Sequence, residues 1–316
     1  MHCLYSFKPW HIMLISMLSL LPACKKDAIM VNRELLDDQN IKNFLEQHNI
    51  NAQHDPSGIY YEKLEENIEG SPVELHDIVK IWYQMSTLDG TLVYEMDKDS
   101  LPIEFENKDY GIIPSGVNYG VGLMKTGETY RLYIPSYLAY ESYGNSSYFP
   151  PYSNFIIDIK VLGKESLEEE ARIEQSKINE WMNINSVDEV ASSPGGLVYV
   201  QTKKGTGKQP VANSQVTFHF TRKYLDGTII RTTKDDEPVT IYLDGTSAVK
   251  GLEMGLKMMH EGEKATFILP SSLAFGSSTA ILPEVLRNDL VRKQLIPNEV
   301  RPFSPLIYEV ELIKVN

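Results

Sequence analysis

The sequence predicts an α+β fold built twice in tandem, each copy an antiparallel sheet wrapped on one short helix and preceded by a helical lead-in. Three observations predict it. First, "LDGT" occurs twice, from Leu88 and from Leu225, and the flanking motifs keep nearly the same spacing. Asp226 follows Asp89 by 137 residues, Pro238 follows Pro102 by 136, Gly262 follows Gly127 by 135, and Gly196 follows Gly58 by 138. An offset that steady identifies a duplicated unit much longer than a solenoid repeat. Second, "IVKIWYQMS" and "QVTFHFTRK" alternate apolar and polar residues and are rich in β-branched and aromatic types, the pattern of half-buried strands. Third, each copy carries an Asp-Gly turn signal and, at a matching place, one short helical stretch.

The chain begins with a targeting pattern. Lys8 and His11 precede the apolar run IMLISMLSLL, too short to span a bilayer but suited to the core of a signal peptide. The run enters L-P-A-C, ending at Cys24, which resembles a bacterial lipobox, where the Cys becomes the lipidated first residue. Pro22 is uncommon in that motif, and a plain secretory signal with an incidental Cys is the alternative. Residues 1–23 are read as a lipoprotein signal peptide and 24–56 as tether and lead-in helix. Cys3 falls in the removed segment, so the mature chain has no disulfide to form. The expected location is the cell envelope, lipid-anchored, facing the periplasm or the cell surface.

The lead-in of copy one places Leu35, Leu36, Ile41, Phe44 and Leu45 on one broad helical face. Copy two repeats the theme with Ile173, Ile178, Trp181 and Met182, and Ile178 follows Ile41 by 137 residues. These helices therefore belong to the repeat rather than to a linker alone. The strand-rich parts are read as 57–164 and 194–316, with 165–193 as the second helical lead-in. In each, LDGT is a turn between two strands. "SGVNYGVGLMKTGE" and "AVKGLEMGLKMMHEGE" read as short helices ending at Gly127 and Gly262. The offset then breaks once: copy two carries about 16 extra residues between Phe275 and Val300, an insert at about 279–297. Its Val285, Leu286, Leu290 and Leu295 sit near helical spacing, which predicts a short inserted helix.

Composition narrows the function. A length of 316 residues accommodates two domains, and a hydrophobic fraction of 42% supports two cores. A net charge of -13 argues against nucleic acid. The seven His show no metal-ligand grouping, and His219 simply occupies a strand position. No Ser-His-Asp set or Gly-rich phosphate loop stands out, so no metal and no cofactor are expected.

The order strand, D-G-T, strand, P-x-x-[FI], then G-L-x-x-M-x-x-G-E, I-P-x-x-L-A-Y, F-P-P and a final apolar strand resembles the FKBP-type peptidyl-prolyl cis-trans isomerases. The likeness covers most of the mature chain, twice. With the C-K-K-D start and helical lead-in, it is similar to tandem FKBP-like lipoproteins of Bacteroidetes-type bacteria. The resemblance implies catalysis without nucleophile or metal. An X-Pro bond flips in tens of seconds over a barrier near 20 kcal/mol set by amide resonance, and an apolar pocket lowers it by preferring the twisted amide.

Carried over residue by residue, the resemblance implies a pocket in each copy. The first pocket Tyr is Tyr83 in copy one and Phe220 in copy two. The family's Phe-Asp pair becomes Val93-Tyr94 and Ile230-Arg231, so both copies lack the acid. The Phe of P-F-x-F is Ile103 and Val239; the V-I before the helix is Ile113-Pro114 and Ala248-Val249; the floor Trp is Val117 and Leu252. The Tyr of L-A-Y-G is Tyr140 and Phe275, the Ile of I-P-P is Phe149 and Val300, and the last-strand Phe is Ile157 and Tyr308. Tyr83, Tyr140 and Phe149 are the candidate catalytic residues. The insert falls in the loop that, by the same resemblance, overhangs the copy-two pocket.

Two readings follow. One is an isomerase acting on exported proteins, weakened by loss of the acid and carried by copy one more than copy two. The other is a non-catalytic chaperone or assembly lipoprotein that uses the same folds to bind polypeptides. Both take unfolded or extended proline-containing chains as partners.

Overall fold

A computed structural model describes residues 23–97, 99–187, 191–192 and 195–316. The leader through residue 22, the boundary at 193–194 and the side chain of Cys24 lie outside the described residues. Copy one runs α1 (Ala23–Gln47), β1 (Gln53–His54), β2 (Tyr60–Glu65), β3 (Ile78–Thr87), β4 (Leu92–Glu95), β5 (Ile103–Glu106), β6 (Ile112–Ile113), α2 (Ser115–Val121), β7 (Thr129–Ile134) and β8 (Phe155–Glu165). Copy two runs α3 (Leu167–Ile184), β9 (Ala191–Ser192), β10 (Val198–Lys203), β11 (Gln215–Tyr224), β12 (Ile229–Thr232), β13 (Val239–Tyr242), α4 (Lys250–Met258), β14 (Lys264–Leu269), β15 (Ala280–Ile281), α5 (Arg287–Arg292) and β16 (Leu306–Val315).

The duplication holds strand by strand. The first sheet has the order β1-β2-β7-β8-β3-β4, with β5 also on β3; the second has β9-β10-β14-β16-β11-β12, with β13 on β11. All pairings inside each sheet are antiparallel. Both LDGT segments are turns whose Gly90 and Gly227 sit at φ +87°, a conformation that favours glycine. The preceding Asp fixes the turn: Asp89 accepts from the Thr91 N–H at 3.0 Å, and Asp226 from the Thr228 N–H at 2.8 Å.

Each sheet is covered on both faces. On the inner face of copy one, Val117 and Val121 of α2 join Tyr83, Leu132, Ile157 and their neighbours in one core. On the outer face, Ile41 and Leu45 of α1 pack against Tyr60 and Tyr133. Copy two repeats this with Leu252 and Leu256 of α4 inside and Ile178 of α3 against Val198, Ile268 and Ile307 outside.

Two sequence expectations need correction. The lead-in face is narrower than the periodicity suggests, because Leu35 and Leu36 are exposed. The central helices end before the predicted glycines. Gly122 already caps α2, and Met259, in an extended conformation, caps α4. Gly127 and Gly262 instead turn the chain into the next strand at φ +85° and +86°.

A device absent from the sequence reading docks each lead-in helix. Asp37 of α1 is fully buried and accepts hydrogen bonds from the backbone N–H (3.1 Å) and the hydroxyl of Ser136, just after β7. Glu174 of α3, 137 residues on, accepts from the N–H (2.7 Å) and hydroxyl of Ser271, just after β14. A carboxylate thus meets the start of the same short 3₁₀ turn in both copies.

The insert does contain a short helix, α5, but only its last residues border the copy-two cleft. It crosses into copy one. β15 lies parallel to β6, with Ala280 opposite Ile112 and Ile281 opposite Ile113. The peptide bonds Ile113-Pro114 and Leu282-Pro283 are cis. Of the four residues at helical spacing, Leu286 and Leu290 are buried, while Val285 and Leu295 are exposed.

Candidate functional site

The inner face of each sheet, at the end where the central helix begins, forms a cleft. In copy one it gathers nearly all of the sequence-predicted residues. Tyr83 from β3, Val93 from β4, Val117 from α2, Ile157 from β8, and Tyr140 and Phe149 from the β7–β8 connection share a single core. Tyr94, Ile103 and Ile113 pack against its edge, and Pro114, also buried, precedes α2. Tyr94 stacks on Tyr83 with ring centroids 5.5 Å apart, and Tyr140 lies 4.9 Å from Phe149. Burial pushes the hydroxyls of Tyr83 and Tyr140 well above the ordinary phenol range, so both stay neutral.

This cleft is filled by the insert of copy two. Ala280, Ile281, Leu282, Leu286, Leu290 and Ile296 are members of the copy-one core, all at 6% exposure or less. Backbone bonds run from the Ala280 N–H to the Gly111 carbonyl and from the Leu282 N–H to the Ile113 carbonyl, each 2.9 Å. The Tyr140 hydroxyl donates to the Leu282 carbonyl at 2.7 Å, and Pro283, the next residue, is buried. At the rim, Tyr143 donates to Asp289 at 2.8 Å and Lys108 to Ser277 at 2.6 Å.

The cleft of copy two is open, with a volume of about 300 Å³. Phe220, Arg231, Val239, Ala248, Val249, Leu252, Phe275 and Tyr308 line it, eight of the ten residues expected there. Ile230 and Val300 belong to the same core but not to the wall. Arg231 is exposed on β12 at the mouth. Pro297, Asn298 and Glu299, at the end of the insert, form one side.

Arg222 was not singled out in the sequence. It is 6% exposed, pairs with Glu299, and donates to the Tyr308 hydroxyl at 3.2 Å. Its guanidinium lies 4.8 Å from the centre of the Phe275 ring. The signal was present: in "VTFHFTR" the inward register is Val216, Phe218, Phe220 and then Arg222, a charge in a core position. The corresponding residue of copy one is Met85, fully buried.

Each copy is thus an antiparallel sheet over one short helix with an apolar, aromatic cleft between them. Among the described residues no group of three or more His, Cys, Asp or Glu is placed to hold a metal ion. The chain belongs to the FKBP-type peptidyl-prolyl cis-trans isomerase family, whose profile matches residues 70–162 and again 206–313. It is 28% identical over 163 residues to a probable FKBP-type peptidyl-prolyl cis-trans isomerase FkpA of Neisseria meningitidis serogroup B, covering 51% of this chain and 53% of the relative. It is 36% identical over 124 residues to FkpA of Aeromonas hydrophila, covering 39% and 46%. It is 32% identical over 122 residues to an FK506-binding protein of Neisseria meningitidis serogroup B, covering 38% of this chain and 97% of that one. The chain thus spans about half the length of the two FkpA relatives.

Proposed function

We propose that this protein is an envelope-located isomerase of the family, acting on proline-containing segments of exported polypeptides and held to a membrane through a lipid on Cys24. The observation that carries the reading is the hydrogen bond from Tyr140 to the carbonyl immediately before Pro283, inside an apolar cleft. In this reading the buried Leu282-Pro283 segment stands in for the X-Pro segment of a substrate. Aromatic and aliphatic walls favour the less dipolar twisted amide, and a neutral hydroxyl holds the carbonyl.

Copy one carries the activity in this reading, since Tyr83 and Tyr140 have Phe220 and Phe275 as counterparts in copy two. The rate is low, because Tyr94 and Arg231 replace the acid of the family pair. The second reading, a holder of chains without catalysis, is favoured by the filled copy-one cleft and by the buried Arg222, paired with the half-buried Glu299, beside the open one. A protease-coupled isomerisation assay on Leu-Pro peptides, with Tyr140→Phe and Phe275→Tyr as paired variants, separates the two. Turnover that falls in the first variant supports the isomerase. Affinity for unfolded chains with no turnover in any variant supports the holder.

A further inference from the structure

We infer that residues 280–296 of copy two are a tethered ligand of the copy-one cleft, which opens to other chains only when this segment leaves. The inference rests on reading the copy-one cleft as a site for X-Pro segments, and it names the regulation of that site.

Copy two supplies the internal comparison. It has the same sheet order, the same central helix and the same docked lead-in, and its own cleft stands open. The fold therefore forms its sheet and central helix without a segment in its cleft, and the occupant of copy one is contributed from outside that copy. The occupant is also rooted elsewhere. Arg287, itself 3% exposed, donates to the carbonyls of Thr279 (2.9 Å) and Val300 (3.1 Å), and the Ser278 hydroxyl donates to the Val300 carbonyl at 2.7 Å. The Ser278–Val300 bond ties the two ends of the insert together on copy two, and Arg287, carried by the insert itself, braces that base.

What docks is ligand-like. Ala280 to Leu282 run extended along β6 and exchange backbone hydrogen bonds with it, as an added strand does. Leu282 and Pro283 then bury beneath the Tyr140 hydroxyl. Glu284 accepts from Arg287 of the insert itself, at 2.6 Å, so its charge is partnered within the insert. The cleft therefore selects aliphatic residues before a proline. A foreign chain of that kind, an extended Ile-Leu-Pro-like segment, is the competitor that displaces the insert. Tethering sets how hard this is: a short linker holds its ligand at an effective concentration of about millimolar, so a free peptide meets an apparent affinity reduced by roughly tenfold or more.

The test uses the full chain and a fluorescent peptide spanning Thr279 to Pro297. In one variant residues 279–297 are replaced by a short Gly-Ser loop. In a second, Ile112→Cys and Ala280→Cys, which face each other across the β6–β15 ladder, are introduced with Cys24→Ser, so that oxidation locks the insert in place. Expected are at least tenfold tighter peptide binding by the loop variant than by the intact chain, and binding by the Cys variant that disappears on oxidation and returns on reduction. Equal affinity in the intact and loop-replaced chains, both folded by circular dichroism, would overturn the inference. So would an oxidised Cys variant that binds as well as its reduced form, a result available even where the loop variant fails to fold. A loop variant that binds the peptide tightly yet isomerises no Leu-Pro substrate would remove the catalytic reading and leave the tethered ligand supported.

Discussion

The phenolic oxygen of Tyr140 lies 2.7 Å from the carbonyl oxygen of Leu282, a residue 142 positions further on and in the other copy. Tyr140→Phe leaves that carbonyl buried without its donor. The expected loss is about 1–3 kcal/mol of stability for the intact chain, measured by denaturant unfolding. Amide hydrogens of residues 280–296 should exchange faster in the variant. The same substitution in a chain lacking the insert should cost much less, because no buried carbonyl is orphaned there.

Asp37→Ala and Glu174→Ala should each cost about 1.5–3 kcal/mol, since each removes a buried carboxylate that accepts both the N–H and the hydroxyl of a serine. The two sites share no partner, so the double variant should lose the sum. Chemical denaturation of the single and double variants checks both statements. A near-zero cost at either site would show that the lead-in helix is docked by its apolar face alone.

Glu170 of α3 predicts a pH dependence. Burial first, then the neighbouring Glu104, push its carboxyl up from the ordinary 4.5 to about 8, with Lys177 opposing. A carboxyl whose folded value is raised favours the protonated state in the native protein. Its stabilising contribution is complete below pH 4.5 and is lost as pH rises through about 8. Glu170→Gln should therefore raise the melting temperature at pH 8 and leave it nearly unchanged at pH 4.5. Thermal melts across that range supply the comparison, and a variant that follows the parent at every pH would contradict the assignment.

Cys24→Ser should abolish fatty-acid labelling and move the protein from the membrane fraction to the soluble one. No helix among the described residues is long and apolar enough to cross a membrane. Stable attachment through lipid takes two signals or more, a single chain being marginal. Labelling that survives the substitution would rule out the proposed anchor.

Restoring the family pair with Val93→Phe and Tyr94→Asp should raise isomerase turnover by about tenfold or more, as one oriented charged contact contributes about 1.5–3 kcal/mol. Val93 is buried in the filled cleft, so the gain should be seen in the loop-replaced chain and be small in the intact one. Unchanged turnover in the loop-replaced background would mean that the acid is not what limits the rate.

The repeat was legible because a constant offset survives divergence: Ile41 and Ile178, Gly90 and Gly227, Pro135 and Pro270 mark equivalent places in sequence and in fold. Strand alternation likewise marked β3 and β11 as half-buried strands, and the residues that the family resemblance put in the pockets, Tyr83 and Phe220, belong to the two inner cores. The destination of the insert was not legible. Helical spacing told that Leu286 and Leu290 share a face, but periodicity carries no information on which surface the face meets. Asp37 and Glu174 were hidden for a different reason. A carboxylate among other charged residues on a helix looks solvated until its serine partner, about a hundred residues away, is brought beside it. Arg222 was the one miss with a local signal, a cation in an inward strand position.

The crossing of β15 to β6 also fixes how this protein comes apart. Cut between its copies, the second half would present Ile281, Leu282, Leu286, Leu290 and Ile296 to water on one small projection, a greasy patch of the kind that drives aggregation. The first half would keep its sheet but lose part of its interior. Each copy has the anatomy of an autonomous folding unit, yet neither is expected to melt on its own terms. Heated or denatured, the chain should lose both halves in a single cooperative transition.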